Sequence, residues 1–129
     1  MGGIVMLERL LDSVILIDHL NDVPQATEFL LALDPEKTAI SVITYAEILT
    51  GLDEEGGRGA RPLLCSFEML EIDAAVAEKA AALRRKHGWK LPDAFQAAIA
   101  ILQDIKLCTR NTKDFNPQKH PFVEIPYLL

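Results

Sequence analysis

Arg9-Leu10-Leu11-Asp12-Ser13-Val14-Ile15-Leu16-Ile17-Asp18 is the stretch on which the fold turns. Its first four residues read as a short strand ending in a carboxylate, and the apolar positions through Ile17 and Leu20 read as a helix that follows at once. Short apolar runs alternate with helical periodicity along the rest of the chain, the pattern of an α/β sandwich with a parallel sheet. Pro24 suits a helix first turn, after which Ala26, Phe29, Leu30 and Leu33 fall on one face at i, i+3, i+4 and i+7. The β-branched run 38–42 predicts a second strand, and 45–52 a helix. Gly56-Gly57-Arg58-Gly59 is expected to end that helix or begin a mobile loop. A third strand is expected over 69–72, and Asp73 is placed to cap a long helix with Val76, Ala80 and Leu83 as its buried stripe. Pro92 opens another helix, with Phe95, Ala98, Ile99 and Leu102 facing inward; a fourth strand over 105–109 and a short edge strand over 122–125 complete the reading.

With 129 residues, the chain is the size of one domain with a real core. Half of it is hydrophobic and a quarter charged, a globular composition. No repeat, low-complexity tract or linker divides it, so a single domain over 1–129 is expected. Its apolar stretches are short and broken by charge, which excludes a membrane span, and its start lacks the basic and apolar regions of a signal peptide. Cys65 and Cys108 share no metal-ligand spacing and read as two reduced, buried thiols of a cytoplasmic protein. The net charge of −6 argues against a broad basic face for nucleic acid. It leaves room for acids gathered at one point, where cations reverse the local sign.

Asp12 falls at the carboxyl end of the first strand. Arg110, Asn111 and Asp114 follow the fourth, Glu47 lies in the helix after the second, and Asp93 is in the first turn of its own helix. In open α/β sheets these positions face one crevice at the carboxyl edge. Oxygen-only donors without His or Cys point to a hard cation, Mg²⁺ or Mn²⁺ rather than zinc. Such ions activate water and stabilise the in-line displacement of a phosphodiester. Each residue also has a plain structural reading. Asp12 caps a helix, Thr44-Tyr45-Ala46-Glu47 matches a capping box, Asp93 suits the helix dipole, and Asp114 and Asn111 suit a turn. The joint placement favours the site. Ser13 and Thr109 are expected to orient a carboxylate or water, and Arg110 and Lys90 to meet phosphate. Arg84-Arg85-Lys86-His87 is the basic cluster, favoured at a helix C-terminus in any case. Trp89 and Phe95 read as core or dimer packing, and His19, His87 and His120 share no spacing.

Four segments carry a family resemblance: the opening stretch through Asp18; Ser41-Val42-Ile43-Thr44-Tyr45-Ala46-Glu47-Ile48-Leu49-Thr50-Gly51; Leu91-Pro92-Asp93-Ala94-Phe95-Gln96-Ala97-Ala98-Ile99-Ala100; and Thr109-Arg110-Asn111-Thr112-Lys113-Asp114-Phe115. In that order they resemble the motifs of PIN-domain ribonucleases, particularly the VapC toxins of type II toxin–antitoxin pairs. Val14 departs from the pattern, which often has a small polar residue there. The resemblance implies a three-layer α/β/α sandwich with a small, mainly parallel sheet. It also implies Mg²⁺-dependent cleavage of RNA, a homodimer, and an antitoxin partner whose C-terminal segment occupies the groove. Asp12, Glu47, Asp93 and Asp114 carry over as metal-site acids, with Asn111 as the alternative or supporting fourth residue. Other readings are a PIN nuclease of RNA processing without an antitoxin, a receiver-like Mg²⁺ module, and a non-catalytic interaction domain. The receiver reading fits poorly, because Asp12 comes on the first strand rather than a central one and Glu47 and Asp93 lie in helices.

Overall fold

The computed structural model describes residues 6–129; the apolar start, residues 1–5, lies outside them. Strands β1 (Arg9–Leu11), β2 (Thr38–Ser41), β3 (Glu68–Leu70), β4 (Lys106–Cys108) and β5 (Val123–Glu124) form one sheet in the order β3-β2-β1-β4-β5. All four pairings are parallel. The chain winds outward from β1 to β3, then crosses back to begin β4 on the other side of β1. The reversal between β1 and β4 is the switch point at which such sheets open a crevice.

Strand alternation sorts the core into two layers. Leu10, Ala39 and Leu107 point to one face, where they pack with α5 (Ala74–His87) and α6 (Leu91–Gln103) through Val76, Ala80, Leu83, Ala97 and Ile99. Their neighbours Leu11, Ile40 and Cys108 point to the other face. There they meet Leu16 of α1 (Ser13–Leu20), Ile48 of α3 (Val42–Thr50) and Leu64 of α4 (Glu54–Leu64), with Phe29 and Leu30 of α2 (Pro24–Leu31) against the same cluster. The registers Leu10↔Leu107 and Leu11↔Cys108 align the inward residues of adjacent strands, so a one-residue slip would swap both cores. The result is the three-layer α/β/α sandwich.

Several local expectations are corrected. The second strand stops at Ser41, whose hydroxyl accepts from the Thr44 amide and starts α3 three residues earlier than the sequence suggested. The third strand runs Glu68–Leu70 rather than 69–72. The glycine-rich segment is α4, not a loop. Asp53 caps it by accepting from the Gly56 amide at 2.7 Å, Glu54 and Glu55 complement the dipole of its first turn, and Gly57, Ala60 and Leu64 form its buried face. Burial of that face offsets the low helix propensity of three glycines. Leu102 is half exposed at the end of α6, and Cys65 is exposed; only Cys108 of the two thiols is buried. Burial pushes the Cys108 thiol far up, with nearby Glu124 adding to the rise.

Candidate active site

Asp12 occupies the step from β1 into α1. Its amide donates to the Cys108 carbonyl at 2.9 Å, carrying the ladder with β4 one residue past the strand. Its carboxylate is 8% exposed and is gripped on both oxygens. Oδ1 accepts from the Ser13 amide at 2.8 Å and Oδ2 from the Thr109 hydroxyl at 2.7 Å. Asp12 is therefore the N-cap of α1. Burial raises its pKa, the bonds from Thr109 and Ser13 oppose the rise, and the negative charge of Glu47 adds to it.

Glu47 stands in the second turn of α3. The capping-box reading of Thr44 and Glu47 fails, because Ser41 is the cap and Thr44 is buried in the first turn with its hydroxyl directed to the Leu11 carbonyl. Asp93 lies in the first turn of α6, whose N-cap residue Lys90 makes no side-chain cap bond. Burial pushes Asp93 up first, then the charges of Asp12 and Asp114; Lys90 pulls the other way. Asp114 and Asn111 form one unit. The Asn111 amide group donates to Asp114 Oδ2 at 3.0 Å, and the Asp114 amide donates to Asn111 Oδ1 at 3.3 Å. The Asn111 amide nitrogen of the backbone donates to the Thr109 hydroxyl at 3.1 Å, which links this turn to Asp12.

Asp12 thus feels Glu47, and Asp93 feels both Asp12 and Asp114, so four acids from four segments share one electrostatic neighbourhood. Among the described residues, no three His, Cys, Asp or Glu side chains are closed to the spacing of a metal-ligand set. Carboxylates facing one another without a cation repel. The donor set is oxygen throughout and fits a hard divalent cation. A cleft of about 170 Å³ between α1 and α3, lined by Ile17, Leu20 and Ile48, opens beside Glu47. A larger cavity of about 410 Å³ lies at the opposite edge, where Glu8 precedes β1 and Lys106 begins β4, and holds none of the four acids.

Arg110 is placed differently from expectation. Its Nε and Nη2 donate to the two oxygens of Asp18 at 2.7 and 2.9 Å, and the Tyr127 hydroxyl donates to Asp18 Oδ2 at 2.8 Å. The guanidinium is thereby turned onto α1 instead of outward to a phosphate, and it anchors the segment that carries Asn111 and Asp114. Arg110 beside it, with help from Tyr127, holds the Asp18 carboxyl below its ordinary range. In the basic cluster, Arg84 is occupied by the Trp89 carbonyl at 2.7 Å, and His87 stacks on the buried Trp89. Sequence reasoning missed Gln96. A glutamine in the otherwise apolar run Ala94–Leu102, one turn after Asp93, was the available signal. It is 1% exposed and hydrogen-bonded to Ser41 and Thr44.

The PIN domain family model matches residues 9–117. Ribonuclease VapC10 of Mycobacterium tuberculosis is 32% identical over 112 residues, covering 82% of this chain and 84% of the relative. Among solved structures, a toxin–antitoxin complex from Klebsiella pneumoniae has a chain that superposes with a TM-score of 0.87 at 37% identity, over 95% of this chain and all of its own length. FitAcB from Neisseria gonorrhoeae gives 0.75 at 25% identity, over 92% of this chain and 97% of its own. With the acids arranged as described and likeness running over nearly the whole length, the chain belongs to the PIN-domain family as a VapC-type member.

Proposed function

We propose that this chain is a Mg²⁺-dependent endoribonuclease acting as the toxin of a toxin–antitoxin pair. The observation that supports the reading is the placement of Asp12 at the end of β1, Glu47 in α3, Asp93 in the first turn of α6 and the hydrogen-bonded Asn111–Asp114 turn after β4, with Asp12 near Glu47 and Asp93 near Asp12 and Asp114. Asp12, Glu47, Asp93 and the Asn111–Asp114 unit would hold Mg²⁺, or Mn²⁺ in its place. When bound, the cation supplies an activated water and neutralises charge on the phosphodiester. Thr109 and the Ser13 amide hold the Asp12 carboxylate in a fixed position. Lys90, exposed at the start of α6 beside Asp93, contacts the RNA backbone. The overall negative charge confines the polyanion to this metal-loaded point.

The likeness to a chain of a toxin–antitoxin complex supports a protein partner; in this reading the partner is an antitoxin that covers the groove, and the toxin itself is a homodimer. Purified chain freed of partner should cleave structured RNA with Mg²⁺ or Mn²⁺ and stop when EDTA is added. Cleavage that persists in EDTA contradicts the mechanism. Cleavage that a co-expressed small DNA-binding partner leaves untouched points instead to an RNA-processing nuclease.

A further inference from the structure

Beside the acids, on the same elements, lies a closed polar network in an otherwise apolar interior. The Ser41 hydroxyl donates to Gln96 Oε1 at 2.8 Å, and Gln96 Nε2 donates to the Thr44 hydroxyl at 2.5 Å. The Thr44 hydroxyl is directed to the Leu11 carbonyl at 3.4 Å, and the Thr44 amide returns to Ser41 Oγ at 3.2 Å. Ser41, Thr44 and Gln96 are all at most 1% exposed, and none of their buried polar atoms lacks a partner. A fully satisfied network of this kind fixes the groups it joins.

Its members stand in register with the acids. Thr44 precedes Glu47 by three residues on α3, and Gln96 follows Asp93 by three on α6; Leu11 is joined covalently to Asp12. Residues three apart on a helix share a face, separated by about 4.5 Å of rise. Thr44 and Gln96 therefore each lie within one helical turn of an acid on the same element and the same face, and Leu11 lies next to one in the chain. Packing alone does not explain a glutamine here. An apolar side chain of similar volume would fill the space without the cost of burying an amide.

We propose that Gln96 is a positioning residue that ties α3 and α6 to the carboxyl end of β1 and so sets the spacing of Asp12, Glu47 and Asp93 for a divalent cation. The inference rests on the metal reading above. Outer groups that orient ligands are commonly worth ten- to a hundredfold in metal affinity.

Mn²⁺ binding by calorimetry on the full chain tests it, with thermal unfolding of each variant measured alongside. Gln96→Met should weaken Mn²⁺ about tenfold or more while the protein stays folded. Thr44→Val, which keeps shape and removes the hydroxyl, should weaken Mn²⁺ similarly; Thr44→Ser, which keeps the hydroxyl and loses the methyl, should restore it. A packing role predicts the reverse order for the two Thr44 variants. Wild-type affinity in Thr44→Val and in folded Gln96→Met overturns the positioning role and leaves the metal site standing. Absence of Mn²⁺ binding by the wild-type chain overturns the metal reading and this inference together.

Discussion

Thr109 and Asp12 are joined hydroxyl to carboxylate at 2.7 Å across 97 positions of sequence. The bond ties the end of β4 to the end of β1 at the point where the winding of the sheet reverses. Because the hydroxyl favours the charged form of Asp12, it opposes the upward pull of burial. Thr109→Val should raise the Asp12 pKa further and move the acid limb of the cleavage rate against pH to higher pH. Thr109→Ser should leave the limb in place. The check is a pair of pH–rate profiles at fixed metal concentration.

The same groups make the metal-free protein sensitive to pH in an unusual direction. Asp12 and Asp93 have raised pKa values in the fold, so between the unfolded and folded values the native state holds more protons than the unfolded chain. Their contribution to stability therefore falls as pH rises through that window. Thermal unfolding in EDTA should show a higher Tm at mildly acid pH than at neutral pH. Millimolar Mg²⁺ at neutral pH should raise Tm, since a ligand of the native state stabilises it.

Asp18 behaves oppositely. Its folded pKa is depressed by Arg110 and Tyr127, so its contribution is present above the ordinary carboxylate value and disappears as pH drops through the depressed one. The Asp18 side chain is 9% exposed and Arg110 about a third, so the pair is partly screened. Asp18→Ala should cost about 2 kcal/mol, below the usual range for a fully buried pair because of that exposure. It should also slow cleavage, since the Asn111–Asp114 segment loses its anchor. Urea unfolding and an RNA cleavage rate measure the two effects.

Helix α4 gives a prediction of gain. A Cβ built on Gly59 meets nothing within 4 Å, and the residue lies in the middle of a helix. Gly59→Ala should stabilise the protein by about 0.5–1 kcal/mol, through reduced freedom of the unfolded chain. Gly88 is the contrasting position. Its φ of 73° ends α5 in the left-handed region, so Gly88→Ala should cost about 1 kcal/mol despite the open space around it. Denaturant midpoints for the two variants should move in opposite directions.

These outcomes show which features a sequence carries on its surface. Leu10–Asp12, the periodic stripe of α5 and the opening of α6 at Pro92 were legible because each depends on local pattern. Asp12, Glu47, Asp93 and Asp114 were legible as a group because strand ends in a parallel sheet converge by topology. Helix α4 was not, since its stability comes from burying Gly57, Ala60 and Leu64, which propensity alone does not register. The Asp18–Arg110 pair spans 92 positions, and no local signal marks either residue as the partner of the other. Gln96 was hidden in an apolar run because the reason for its polarity lies on α3.

We propose that four acidic segments form one site for a divalent cation. Anomalous diffraction from crystals soaked in Mn²⁺ tests it most directly. The predicted result is a peak within ligand distance of Asp12 and Asp93, facing Glu47 and the Asn111–Asp114 turn, and lost in Asp12→Asn. No peak at millimolar Mn²⁺ in the wild-type protein, or a peak only away from these carboxylates, would contradict it.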